Sequence, residues 1–151
     1  TNLLYGLAEA IDMLHEEGLD NVFARHQRLA EATRRAVKTW GLENLNKNTS
    51  QLSPTITAIL LPEGHDADKF RALALETFNI SYGASFGAYA GKYFRIGHLG
   101  DINDGTLIGA LGITEMALDL AGIPHKKGGV QAAMDHFANH AAAPVGLKKA
   151  A

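Results

Sequence analysis

The chain has 151 residues, 46% of them hydrophobic and 20% charged, which is the composition of one ordinary globular domain. Its formal net charge of −2 gives no basic footprint for nucleic acid, and the absence of cysteine excludes disulfides, thiolate metal sites and cysteine nucleophiles. No apolar run reaches the length of a membrane helix and no charged-then-apolar leader opens the chain, so we predict a soluble cytoplasmic domain without membrane or nucleic-acid partners.

The first 41 residues are predicted to form two amphipathic helices. The first begins after Thr1 and ends at Gly18, and its apolar residues follow helical spacing: Leu3, Leu4, Leu7, Ile11 and Leu14. The second runs from about residue 20 to residue 40 and ends at Gly41. Because the chain opens inside this pattern and without a methionine, we expect it to be a piece of a longer protein. Residues 1–41 would then be a helical connection to the missing part.

Strand and helix signals alternate from residue 42 onward. Residues 42–53 predict a short edge strand and a polar loop. The β-branched, apolar run TITAILL at 55–61 predicts a buried strand that Pro62 stops. Asp66 is placed to cap a third helix over residues 67–78.

The rest of the chain continues this alternation. In order, the predicted elements are a short strand at 80–82, a glycine-rich loop at 83–91, a strand at 92–98, a helix at 105–120 and a helix at 130–140. Either Asn103 or Asp104 can cap the helix at 105–120. The pattern predicts an α+β fold: residues 42–151 form a two-layer small domain, in which helices cover a three- to four-stranded, mostly antiparallel sheet.

Two glycine-containing patterns come close to nucleotide and calcium motifs but lack essential positions. A phosphate-binding loop needs a glycine where Phe86 stands, a hydroxyl residue after Gly91-Lys92, and a helix rather than a strand to follow. The run DINDG at 101–105 has its glycine one place too early for a calcium loop, and Gly112 stands where the glutamate ligand belongs. A helix N-cap explains the acidic run better.

Two other patterns are also better explained without chemistry. His136 and His140 are four apart on one predicted helix, but the sequence offers no third metal ligand nearby, and we expect both side chains to face solvent. Ser85 lies in the pattern G-x-S-x-G of serine hydrolases. That motif requires a turn from strand into helix, whereas this one leads toward a strand.

Arg95 is the residue that the fold does not explain by itself. Alternation in the strand KYFRIGH places Tyr93 and Arg95 on one face and Phe94 and Ile96 on the other. The arginine is therefore exposed on an open sheet face, paired with an acid such as Glu76 or Asp101, or part of a carboxylate or phosphate site. The neighbouring glycines would allow close approach of a ligand.

The run ISYGASFGAYAGKYFRIGHLGDINDGTLIGALGITEMAL at 80–118 resembles the C-terminal small domain of class V, fold-type I aminotransferases. The serine–glyoxylate and alanine–glyoxylate branch is the most similar, and its most specific part here is GKYFRIGHLG at 91–100. The opening helices resemble the segment that links the large and small domains of the family. The resemblance implies that Arg95 binds the α-carboxylate of small amino-acid and oxo-acid substrates.

The resemblance also implies what this chain lacks. These enzymes use pyridoxal 5′-phosphate and are homodimers, and the large domain of the same polypeptide supplies the cofactor-binding lysine and the phosphate site. No lysine here stands in the family's context for that role: Lys38, Lys47, Lys69, Lys92, Lys126, Lys127, Lys148 and Lys149. We therefore expect no catalytic or cofactor-binding residue in this chain, and no activity of the chain alone. A non-catalytic carboxylate-binding module and a self-association module remain as alternatives.

Overall fold

The computed structural model describes residues 1–141. In these residues the helices are α1 (Asn2–Glu17), α2 (Leu19–Trp40), α3 (Ala67–Phe78), α4 (Asp104–Leu120) and α5 (Gly129–Asn139). The strands are β1 (Glu43–Asn44), β2 (Ile56–Leu60) and β3 (Tyr93–Gly97), with short 3₁₀ turns at Thr49–Gln51 and Gly87–Tyr89. The α+β prediction and the helix positions are confirmed, with ends that differ by one residue or none.

The sheet has three antiparallel strands in the order β1-β2-β3. In β2 and β3 the pairs Thr57–Ile96 and Ile59–Phe94 are buried, while Arg95 is paired with Ala58 on the opposite face. The β-period of two therefore separates a core face from a face that carries Arg95. This separation is the one that the sequence predicted.

The strand predicted at 80–82 is wrong. Of residues 80–83, only Gly83 pairs with β3, through two hydrogen bonds of 2.9 and 3.0 Å with the main chain of Arg95. The preceding residues have other tasks: the Ile80 N–H bonds to Ala74 at the end of α3, and the Tyr82 ring stacks on Phe70 at 5.7 Å. The segment fills the core instead of extending the sheet.

Glu115 joins three helices on the core side. Its carboxylate accepts a hydrogen bond from the indole nitrogen of Trp40 at 2.7 Å, which links α4 to α2. It also accepts the main-chain N–H groups of Gly128, Gly129 and Val130, which caps α5. A Cβ at position 129 would lie 2.2 Å from the Trp40 indole nitrogen, so only glycine fits there.

Side-chain caps are present at two of the three helix starts for which the sequence predicted one. The Asp66 carboxylate accepts the N–H groups of Asp68 and Lys69, as predicted. Of the two candidates for α4, Asn103 is the cap, and Asp104 instead forms a bidentate ion pair with Arg28 of α2 at 2.7 and 2.8 Å. Thr1 occupies the N-cap position of α1, but its side chain makes no capping hydrogen bond.

The first helix is the least embedded element. It has no buried residue, and its apolar stripe is exposed: Leu3 by 90%, Leu4 by 68%, Leu7 by 56%, Ile11 by 43% and Leu14 by 40%. Helix α2, by contrast, has nine buried residues, seven of them hydrophobic. The two helices meet at Gly18, where φ is 83°, and the Arg25–Glu17 ion pair holds the corner. None of the helices in residues 1–141 is long and apolar enough to cross a membrane.

Candidate functional site

Arg95 lies in the middle of β3, between two buried neighbours on the core face, and its own side chain is half-buried on the other face. Its Nε donates a hydrogen bond of 2.8 Å to the carbonyl oxygen of Ala84. No acidic residue within 1–141 pairs with it, so neither Glu76 nor Asp101 is its partner. The terminal Nη groups have no protein acceptor in the described part of the chain, which leaves the outer edge of the guanidinium available to a ligand.

The glycine at position 83 makes room for this side chain. A Cβ built on Gly83 would lie 3.0 Å from both Cβ and Nε of Arg95 and 3.3 Å from its Cζ. Those distances are shorter than a van der Waals contact between carbon atoms. A glycine in the loop therefore permits the close approach that the sequence had suggested, although the neighbour it admits is the arginine itself.

The loop from 83 to 91 is fastened by two hydroxyl groups. Ser85 Oγ accepts the N–H of Gly91 at 2.7 Å, and the buried Tyr93 accepts the N–H of Phe86 through its phenol oxygen at 3.1 Å. The exposed ring of Phe86 lies over the guanidinium of Arg95, with 4.5 Å between Cζ and the ring centroid. This is the geometry of a cation–π contact.

Ser85 has a structural task in this arrangement. Its hydroxyl bonds to Gly91 and no histidine of residues 1–141 contacts it, so the described site lacks the base that a serine nucleophile requires. The neighbouring Lys92 is exposed and lies over the ring of Tyr89 at 5.8 Å, at the entry to a strand rather than a helix. The loop thus has neither the hydrolase nor the phosphate-loop geometry.

The prediction that both His136 and His140 face solvent is wrong for His136. His140 is exposed, but His136 is 5% exposed because α5 packs against α2 and buries that side. The two rings stack with centroids 4.4 Å apart, and burial lowers the pKa of His136 below its ordinary value. Within residues 1–141 no group of three or more histidine, cysteine or acidic side chains is placed to hold a metal ion.

A buried histidine follows directly after the site strand. His98 Nδ1 lies 3.1 Å from the carbonyl oxygen of Pro54, and its Nε2 lies 2.9 Å from Thr57 Oγ1. Because a carbonyl only accepts, Nδ1 carries the proton and Nε2 accepts from the hydroxyl. Burial lowers the pKa of His98 to about 4, although the bond to Pro54 acts in the opposite direction. A neutral ring therefore holds the end of β3 to the segment before β2.

The lysines do not form an enclosed attachment site for an aldehyde cofactor. Those in the described residues are all exposed: Lys38, Lys47, Lys69, Lys92, Lys126 and Lys127. A lysine that reacts as an amine at neutral pH is normally desolvated or beside another cation. Lys148 and Lys149 lie outside the described residues. The lysines of residues 1–141 thus do not provide a desolvated amine that fits covalent pyridoxal phosphate.

The arginine site is open on the sheet surface. Two cavities, of about 190 and 910 Å³, lie between α2 and the segment 43–53, and Arg95 lines neither of them. Ligand sites that act alone usually bury most of a small ligand in a concave pocket. The guanidinium edge of Arg95 is not enclosed by either of these two cavities.

Several known proteins that are similar to this chain are named aminotransferases. It is 48% identical over 136 residues to a serine–glyoxylate aminotransferase of Methylorubrum extorquens, covering 89% of this chain and 34% of that protein. It is 44% identical over 139 residues to the serine–glyoxylate aminotransferase of Arabidopsis thaliana, a match that covers 91% of this chain and 35% of that protein. A ureidoglycine–glyoxylate aminotransferase structure from Bacillus subtilis superposes with a TM-score of 0.86 at 32% identity. The match covers 92% of this chain and 36% of that one. No family model matches the chain.

The fold and these relatives define an aminotransferase small domain. The chain belongs to the class V aminotransferases of the serine–glyoxylate and alanine–glyoxylate type. It spans about 35% of the length of the relatives it matches and corresponds to their C-terminal part.

Proposed function

We propose that this chain is the small domain of a pyridoxal-phosphate-dependent aminotransferase that converts serine and glyoxylate into hydroxypyruvate and glycine, and that Arg95 binds the carboxylate of each substrate. The observation that carries the proposal is the guanidinium of Arg95, fixed through Nε and open at both Nη groups. Two parallel N–H donors on a rigid strand match the two oxygens of a carboxylate. The relatives named for glyoxylate as a substrate support the choice of reaction.

Arg95 has the same task with both substrates. Serine and glyoxylate differ at the carbon that reacts, but each carries a carboxylate next to it. One bidentate contact can thus orient the donor and then the acceptor against the same reacting centre. A charge-assisted contact of this kind contributes about 1.5–3 kcal/mol. The chain's own contribution to the reaction is this binding and orientation.

The rest of the enzyme is proposed to supply the chemistry. Pyridoxal phosphate, when held by that part, would supply the chemistry that moves the amino group from the donor to the oxo acid. Its attachment lysine and phosphate site belong to the large domain, in the part of the relatives' length that this chain does not span. The 151-residue chain by itself is therefore proposed to be inactive, and the complete enzyme to be a homodimer.

The exposed apolar stripe of α1 fits this division. Its leucines at positions 3, 4 and 7 are more than half exposed, and an apolar surface of this kind is covered in a working protein. We assign that surface to the contact with the large domain, with residues 1–41 as the helical connection. The same stripe favours the alternative that the chain is a self-association module, which predicts a stable, inactive oligomer of the chain. The other alternative, a carboxylate-binding module without catalysis, predicts a monomer that binds small carboxylates unaided.

The experiment that tests the proposal is a fusion. The matching C-terminal part of the Methylorubrum relative is replaced by this chain, and serine–glyoxylate transamination is measured. We expect the fusion to be active and the separate chain to hold no pyridoxal phosphate absorbance after dialysis. A folded fusion that binds the cofactor but produces no hydroxypyruvate would contradict the proposal. A stoichiometric cofactor band on the separate chain would contradict the division between the two domains.

A further inference from the structure

The free edge of Arg95 is defined by what already holds the rest of its guanidinium. Nε is committed to the carbonyl oxygen of Ala84 at 2.8 Å, and the backbone of Gly83 packs against Cβ, Nε and Cζ. A carboxylate can therefore not use the side of the fork that includes Nε. It must approach the outer edge, formed by the two Nη groups, and lie close to the plane of the guanidinium.

Phe86 is the remaining contact of this group. Its ring is 62% exposed, so it contributes little to the core, yet it lies 4.5 Å from the Arg95 Cζ. The main chain beneath it is fixed, because the phenol of the buried Tyr93 accepts the Phe86 N–H. An exposed aromatic ring on an anchored backbone, aimed at a cation, is placed for that cation rather than for packing.

We infer that Phe86 is a positioning residue of the carboxylate site: its ring holds the guanidinium plane so that the Nη edge faces the substrate. The inference rests on the proposed role of Arg95 and goes beyond it by assigning the residue that orients the arginine. It also predicts the ligand class, which is a small carboxylate that binds end-on and in the guanidinium plane. A ring in front of the guanidinium face obstructs ligands that would stack there.

The test must separate the aromatic character of Phe86 from its bulk, because a side chain that only fills space would need bulk alone. Phe86→Leu keeps an apolar side chain without a π face, and Phe86→Tyr restores the ring. The same loop supplies a matched control in Tyr89, which is 52% exposed and lies over Lys92 instead of Arg95. Glyoxylate is titrated into the active fusion described above, and its dissociation constant is read by NMR from the backbone amide signals of residues 83–91 of this chain.

We expect Phe86→Leu to weaken glyoxylate binding about two- to fivefold, which is the size of an exposed cation–π contact. Phe86→Tyr and Tyr89→Leu should bind like the unchanged fusion. A second readout needs no ligand: the Arg95 Nε–H should exchange with water faster in Phe86→Leu, and at the original rate in Phe86→Tyr. Unchanged binding and unchanged exchange in Phe86→Leu would overturn the inference about Phe86.

The titration separates this inference from the proposed function. Arg95→Gln is measured alongside, and it should abolish the glyoxylate-dependent shifts. If Arg95→Gln removes binding but Phe86→Leu leaves both binding and exchange unchanged, only the role of Phe86 fails. If Arg95→Gln binds glyoxylate as the unchanged fusion does, or the unchanged fusion shows no Arg95-dependent shift, the role of Arg95 fails as well.

Discussion

Gly83 and Arg95 fit closely together in the candidate site: the glycine pairs with the arginine main chain and leaves the space that the arginine side chain fills. The φ angle of Gly83 is not in the left-handed region, so backbone conformation alone does not require glycine there. The requirement comes from the side chain of Arg95.

Gly83→Ala is accordingly expected to displace Arg95 without straining the main chain. The added methyl group would lie 3.0 Å from Nε, so the bond to Ala84 should lengthen or break. We expect glyoxylate affinity, measured by NMR titration, to fall about two- to tenfold, as for the loss of one hydrogen bond. The control is Gly109→Ala in α4, where a Cβ meets nothing within 4 Å. That variant should keep its affinity and gain up to about 1 kcal/mol of stability.

Tyr93→Phe tests the fastening of the loop. It removes the acceptor of the Phe86 N–H and keeps the buried ring. We expect a loss of about 0.5–1.5 kcal/mol in the free energy of unfolding and faster hydrogen exchange at the Phe86 amide. Tyr89→Phe, which alters an exposed hydroxyl in the same loop, should change neither quantity. Equal exchange rates at Phe86 in both variants would argue against the tyrosine anchor.

Glu115→Gln tests the junction of α2, α4 and α5. The change weakens the contacts to Trp40 and to the first N–H groups of α5, and we expect it to cost about 1.5–3 kcal/mol of stability. The chain has a single tryptophan, so its fluorescence during urea unfolding reports this junction directly. The matched control is Glu76→Gln on the exposed side of α3, which should be near neutral. Similar losses in the two variants would refute the special role of Glu115.

The buried His98 predicts a dependence of stability on pH. Burial lowers its pKa from 6.5 to about 4, so the unfolded chain takes up the proton more readily than the folded one. The stabilisation that the neutral, buried ring of His98 gives the folded state should be complete above pH 6.5 and should be lost as the pH falls toward 4. The free energy of unfolding should change with pH by at most about 1.4 kcal/mol per pH unit. Urea unfolding between pH 4 and 8 measures this. His98→Gln should flatten the slope, and His15→Gln, at an exposed position of α1, should not.

Local signals were sufficient to predict most of the secondary structure. Helix ends follow residues with strong conformational preferences, such as Gly18, Gly41 and Asp66, whose effects act within one turn. The strand at 80–82 failed because the Ile80 N–H is used by the end of α3, a competition that alternation does not reveal. The burial of His136 also depended on packing between distant helices.

Local sequence signals also predicted part of the candidate site. Alternation along β3 correctly separated Arg95 from the core face, since that pattern is a property of the strand itself. The contacts that orient Arg95 come from the loop, whose path depends on hydrogen bonds of Ser85 and Tyr93. An aromatic residue within a glycine-rich loop was the only available sign of Phe86, and it has no fixed spacing to the arginine.

The most direct measurement is kcat/KM for glyoxylate in the active fusion, compared between Arg95→Gln and Arg71→Gln. Arg71 is a matched control because its Nε also donates to a carbonyl, that of Tyr82 at 2.9 Å, while its Nη1 is paired with Asp68. The proposed function predicts that Arg95→Gln lowers kcat/KM about ten- to a hundredfold and that Arg71→Gln leaves it nearly unchanged. Equal values for both variants would contradict the assignment of Arg95 as the carboxylate anchor.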